Sequence, residues 1–368
     1  MQESHLENPF PEPSDLTPPP LPIKSPNEFQ LWNDNHKFKF YGNAAEYFGI
    51  WIVNILLIII TIGFYSPWAK VRKLRYFYGN TELINRRFDF TGIPSRILIG
   101  RLIALGLYLG IGLLSKYSLI AATFGFLIIY LAIPWLICAT LRFRGRNSKF
   151  GNSRFYFSGT NKRIYLEFFK GILLTIFTLG LAFPVLVWLY RRYFLDHLYV
   201  GQLKFKLKAD WVTYFGAMYI PILGFICLLG CVGFFAFFFN GLFSILSAEQ
   251  GLIVFSGLYF LCILFIWPWM SARVFIATWN NTALSESQFK TSCSEWRYAW
   301  IVFSNWAAKI LTLGLMTPWA EIRLYKYQVE SIDIQLNNDP DTMLNRLQGN
   351  PIGIAEEIAD VFDFDISL

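Results

Sequence analysis

Apolar residues come in long unbroken runs along this chain. Charge-free stretches cover Tyr47 to Ala69, Tyr117 to Leu141, Gly171 to Tyr190, Trp211 to Ala248 and Gly251 to Ala272. A helix crossing a bilayer needs roughly 20 apolar residues, so each run is long enough. Strands of a transmembrane β-barrel would instead alternate over segments of about 10 residues. The pattern predicts a mainly α, polytopic helical integral membrane protein.

The runs also end alike. Prolines recur at Pro67, Pro134, Pro184, Pro268 and Pro318, and tryptophan follows four of them as Trp68, Trp135, Trp269 and Trp319. A Thr-[Ile/Leu]-Gly triplet precedes three of the prolines, with Thr61 and Gly63, Thr178 and Gly180, and Thr312 and Gly314 at its ends. After the proline come a basic-aromatic pair (Arg75-Tyr76, Arg142-Phe143, Arg192-Tyr193, Lys326-Tyr327) and an Asn-Thr or Asn-Ser pair at Asn80, Asn147 and Asn281. Phenylalanine follows 21 residues after four prolines, as Phe88, Phe155, Phe205 and Phe289. These open short alternating runs, and a similar run begins at Phe38; alternation of this kind reads as a short strand. About five internal repeats result, each a strand, an apolar part, Pro-Trp and a basic amphipathic segment.

Spacing separates two kinds of unit. From each strand-opening phenylalanine to the next proline there are 29, 46, 29, 63 and 29 residues. The longer units have room for one helix out and one back. The short ones leave two readings open. Either they dip into the membrane and return, breaking at the Thr-Gly triplet, where Gly permits unusual backbone and Thr satisfies a freed carbonyl. Or each crosses once, and the triplet is a notch for helix packing. The first gives four full spans plus three re-entrant units with the strands on the cytoplasmic side; the second gives seven spans.

Charge sharpens the division into regions. The net charge is +7, and only 15% of residues are charged, against about 25% in soluble domains. Mean hydropathy is +0.40. Residues 1–36 form an acidic, proline-rich lead expected to be disordered, residues 37–330 a basic membrane domain, and residues 331–368 an acidic tail. Basic loops beside apolar spans face the cytoplasm and meet anionic lipid head groups, so lipid is the expected partner and nucleic acid is not. The acidic tail, with a capped amphipathic stretch from Asn350, is the place expected to recruit a protein partner. Oligomeric state is not encoded legibly.

Candidate chemistry is sparse. Five cysteines (Cys138, Cys227, Cys231, Cys262, Cys293) and three histidines (His5, His36, His197) show no zinc-like spacing. No nucleophile motif or phosphate loop appears, so neither enzyme activity nor a metal or cofactor is expected. Lys309 stands nine residues before Pro318 inside an apolar run, and an intramembrane cation is a functional candidate by default. Asn54 and Asn305 each stand 13 residues before their proline, which suggests a shared interhelical hydrogen bond. Arg101, five residues into its segment, is placed to snorkel to the interface.

The segment holding Thr61, Gly63, Pro67, Trp68, Ala69, Arg75, Tyr76, Phe88, Phe90 and Gly92 resembles the YjgN family of bacterial inner-membrane proteins. The likeness extends over most of residues 38–330. It implies a multi-pass inner-membrane protein of a Gram-negative bacterium, with no assigned reaction, substrate or catalytic residues. The internal repeats, the broken apolar segments and the lone intramembrane Lys309 instead suggest a transport- or channel-like function for a small solute, ion or lipid, with a non-enzymatic lipid-interacting scaffold as the alternative.

Overall fold

The computed structural model describes residues 35–116, 118–238 and 248–336; the proline-rich lead to residue 34 and the amphipathic stretch from Asn350 lie outside them. Two short strands, β1 (Asn35–Lys37) and β2 (Lys39–Phe40), start the chain, followed by helices α1 (Ala44–Ile60) and α2 (Ser66–Gly79). The hairpin β3 (Thr81–Leu83) and β4 (Arg86–Phe90) leads to α3 (Pro94–Leu114) and α4 (Leu119–Arg146). Next come β5 (Ser148–Phe150), β6 (Ser153–Phe157), α5 (Asn161–Phe177) and α6 (Phe183–Asp196). Then follow β7 (Leu198–Val200), β8 (Leu203–Leu207), α7 (Trp211–Phe238) and α8 (Ala248–Asn280). The described chain ends with β9 (Thr282–Leu284), β10 (Ser287–Thr291), α9 (Glu295–Leu311), α10 (Thr317–Glu330) and β11 (Ile332–Gln335).

All eleven strands form one antiparallel sheet in the order β1-β11-β10-β9-β8-β7-β6-β5-β4-β3-β2. Its two end strands, β1 and β2, are one stretch of chain interrupted at Phe38, whose amide donates to the Ile332 carbonyl at 3.4 Å. The sheet therefore closes on itself almost completely. β11 lies beyond residue 330 and enters the sheet between β1 and β10, with Ile334 opposite His36 on one side and Phe289 on the other. The helices close too: each packs on its neighbours in chain order, and α1 packs on α10.

This corrects the sequence-based fold class. The expected short separate strands are one nearly closed barrel-like sheet. The expected four full spans plus three re-entrant units, or seven spans, are not found either. Among the described residues three helices are long and apolar enough to cross a membrane, over Pro94–Leu114, Ile120–Arg146 and Trp211–Cys231. The continuous runs misled because Tyr47 to Ala69 and Gly171 to Tyr190 each divide between two helices. α1, α5 and α9 have 17 residues each, about 26 Å at 1.5 Å per residue, short of a ~30 Å hydrocarbon core. α2, α6 and α10 have 14 each.

The divisions share one chemistry. Thr61, Thr178 and Thr312 each donate Oγ1 at 2.7 Å to the carbonyl four residues back, and each Oγ1 accepts the amide four residues on, at 2.9 to 3.1 Å. The glycine two residues later has φ near +90° (Gly63 90°, Gly180 92°, Gly314 91°), and its amide reaches five residues back at 2.7 Å. The triplet is thus a stop signal between helices rather than a packing notch in a continuous one. Pro67, Pro184 and Pro318 then occupy the first turn of the next helix, where a missing N–H costs nothing. In α4 and α8 the corresponding Pro134 and Pro268 lie inside a continuous helix. The Asn-Thr signal ends helices: Asn80, Asn147 and Asn281 donate Nδ2 to the carbonyl four residues back, and Thr81, Ser148 and Thr282 do the same with their hydroxyls.

Lys149, Lys204 and Lys290 all lie in the sheet, on β5, β8 and β10. Single cysteines at these positions, in a chain otherwise free of cysteine, are expected to react with an impermeant maleimide from one side of the membrane only. Labelling of position 204 from the side opposite 149 would contradict the single sheet.

Candidate functional site

The barrel's inner wall is built by alternation. β8 buries Leu203, Phe205 and Leu207 and exposes Lys204 and Lys206, as period-2 geometry requires. Repeated around the sheet, this sends Phe38, Phe88, Phe155, Phe205 and Phe289 inward. Phe38 stacks on Phe88, Phe88 on Phe155, Phe155 on Phe205 and Phe205 on Phe289, with ring centroids 5.9 to 6.4 Å apart. Between them in the register sit aliphatic or aromatic partners: Phe88 faces Phe150, Phe155 faces Val200, Phe205 faces Leu284 and Phe289 faces Ile334. The result is an aromatic girdle.

Above the girdle is a chamber of about 660 Å³, and beside it a second lobe of about 490 Å³. They share Phe38, Phe88, Phe155, Arg191, Phe194, Leu198, Phe275, Trp279 and Gln328 as wall. The larger lobe extends along α6, α7 and α8 to Phe183 and Trp267, both exposed. Polar groups on its wall are few. The Tyr298 hydroxyl accepts from Gln328 Nε2 at 2.7 Å. Thr278 donates to the Val274 carbonyl and shares a hydrogen bond with the Tyr214 hydroxyl. Burial raises the Tyr298 phenol above its ordinary value, opposed by the Gln328 hydrogen bond and the nearby Arg191 charge. Among the described residues no carboxylate lines either lobe.

Arg191 is the cation of the larger lobe, and the smaller lobe is lined by Arg191 and by Arg144 of α4. Arg191 lies on the inward face of α6 with Val187 and Phe194, at helical spacing. Its Nε is buried without a hydrogen-bond partner. Sequence reasoning selected its neighbour Arg192, which the structure turns outward against Asp196 (3.5 Å) and the Trp188 ring (5.1 Å). A signal was present: seven residues after the five prolines stand Leu74, Leu141, Arg191, Phe275 and Tyr325, so one arginine interrupts an apolar position.

The residues singled out from the sequence do not converge. Lys309 is in the last turn of α9 and lines neither lobe. Asn305 is buried; its Nδ2 donates to the Ala320 carbonyl at 2.9 Å, tying α9 to α10, and its Oδ1 accepts from Arg323 at 3.4 Å. Asn54 is buried in α1 with its Oδ1 unpartnered. Arg101, exposed on α3, contacts the Ser66 hydroxyl at the start of α2. It belongs to a flank of like charges: burial first, then Arg144 and Arg101, hold the Lys70 amine below its ordinary value. All five motif prolines are fully buried, while Trp68, Trp135 and Trp319 are exposed and Trp269 donates to Glu295 at 3.0 Å. No group of three or more metal-ligating side chains occurs among the described residues.

Replacing Asn305 by Leu leaves the Ala320 carbonyl without its donor, and is expected to lower stability by about 1–3 kcal/mol. Lys309→Ala is expected to change it by less than about 0.5 kcal/mol. Detergent-phase unfolding of the two variants would check the contrast, which equal losses would contradict.

Comparison with known proteins agrees with this architecture at the level of class. An inner membrane protein YjgN of Salmonella typhimurium is 24% identical over 90% of this chain and 98% of its own length. Proteins of the same name from Escherichia coli O157:H7 and strain K12 are 30% identical over 39% of this chain and 36% of theirs. No solved structure matches. Residues 35–361 match the family described as bacterial protein of unknown function, DUF898. With the three apolar helices, this makes the chain a bacterial membrane protein and a member of the DUF898 family, the family of the YjgN proteins.

Proposed function

We propose that the chain is a multi-pass inner-membrane protein that takes lipid-like molecules into its central chamber, as part of moving or presenting them. The observation that carries this reading is the chamber itself, about 660 Å³ and walled mainly by Phe, Leu, Val and Trp. That volume is within the range of about 300–1,000 Å³ typical of small-molecule sites. Of the small solute, ion or lipid expected from sequence, the apolar wall favours the lipid. An ion passing the girdle would meet five phenylalanines and no polar side chain to replace its hydration shell. The outward lysines of the closed sheet support a cytoplasmic position for it, by the positive-inside tendency. The reading assigns no bond-making chemistry.

A lipid-holding scaffold is the second reading. The observation favouring it is the flank of Lys70, Arg101 and Arg144, close enough for the latter two charges to lower the amine's proton affinity. Such a flank, beside α3 and α4, suits anionic head groups.

Filling the chamber separates the two. Val187→Trp and Val274→Trp are expected to remove most of the lipid that co-purifies with the protein in mild detergent, as read by native mass spectrometry. Lipid content unchanged by both variants, with the fold intact, would contradict the chamber reading and leave the flank.

A further inference from the structure

We propose that Arg191 makes the chamber a site for an anionic amphiphile, whose carboxylate or phosphate pairs with the guanidinium while its hydrocarbon lies against the aromatic wall. This rests on the chamber reading above and names its ligand class. An arginine cannot shed its charge, and a charge among apolar groups is costly unless it is paired. Here the Nε is buried with no partner, and no carboxylate is on either wall among the described residues. Among the described residues no counter-ion faces this side chain, which leaves the position open to an acidic ligand.

Position argues the same way. The other four residues seven after their prolines are Leu, Leu, Phe and Tyr, so neither helix formation nor packing at this level requires arginine. Among the nine wall residues that both lobes share it is the charged one, placed where one head group is reachable from either. Gln328 and the Tyr298 hydroxyl stand on the same wall, offering donors to the remaining oxygens. The guanidinium's planar fork suits a two-oxygen acid. The wall's extension to the exposed Phe183 and Trp267 leaves an apolar approach for a hydrocarbon tail.

The test uses the full-length chain in a non-ionic detergent, with labelled hexadecanoate and hexadecanol, and separately phosphatidylglycerol and phosphatidylcholine. The wild type is expected to hold at least one anionic member about ten-fold or more above its neutral counterpart, the scale of a charge-assisted hydrogen bond. Arg191→Leu, the residue found at positions 74 and 141, is expected to abolish that preference while neutral binding stays. Arg191→Gln serves the same purpose if the Leu variant does not fold. Preference for hexadecanoate alone would assign a free carboxylate; preference for phosphatidylglycerol alone would assign a phospholipid phosphate. A wild type with no preference for anions, or a preference unchanged in the variants, would overturn the assignment of Arg191. Failure of the wild type to hold any of the four would overturn the chamber reading itself.

Discussion

The architecture depends on a seam where the two ends of the described chain meet. β1 lies against β11 over Asn35–Gln335, His36–Ile334 and Lys37–Asp333. Outside the sheet, α1 and α2 meet α10. Glu321 accepts from the Tyr47 hydroxyl and from Lys73, both at 2.7 Å. Tyr325 packs edge-on against Phe40 and Phe77 and hydrogen-bonds Thr81. Burial and the Glu321 carboxylate together push the Tyr47 phenol well above its ordinary value, so the hydroxyl remains a donor. Without this closure the sheet would present two open edges, an exposed template for pairing with other chains. The girdle would also lose Phe38 from its position beside Phe88.

Closure turns a row of similar elements into a container. A sheet with one apolar face must cover it; here the face curls inward and covers itself, with helices continuing the wall upward. Phe38 and eleven strand residues line one end of the chamber, six of the twelve being phenylalanine. Against that background a single guanidinium on α6 is expensive, since effective screening inside an apolar chamber is weak. The cost is understandable if the position is maintained for a ligand rather than for the fold. The flank of Lys70, Arg101 and Arg144 is more exposed, so water or head groups reach its charges, although burial and the two arginines still lower the Lys70 amine.

Much of this was legible in spacing. The sequence marked the positions of the Thr-Gly triplets, the prolines, the Asn-Thr pairs and the strand-opening phenylalanines, but not the burial, helix-ending or inward role each has in the structure. What failed was counting. Apolar runs do not reveal whether a run is one helix or two, and the stop at Thr178 depends on a positive φ at Leu179 and Gly180 that composition does not show. The sheet was missed as a whole because each strand has only two to five residues, and pairing across the chain's ends leaves no local trace. Phe38 illustrates this: it lies far from the last proline in sequence, yet supplies the fifth ring of the girdle. Arg191 was hidden inside a double arginine whose second member fits the basic-aromatic pattern. Its inward orientation follows from the phase of α6, fixed by Pro184, rather than from its own chemistry.

The seam can be examined directly with a cysteine pair at Lys37 and Asp333, directly opposed on β1 and β11, in a chain otherwise free of cysteine. Mild oxidation in native membranes is expected to join them within one chain, giving a faster-migrating monomer in near-complete yield. No cross-link, or one formed only between two chains, would mean that the ends do not meet and that the chamber is not enclosed by a single molecule.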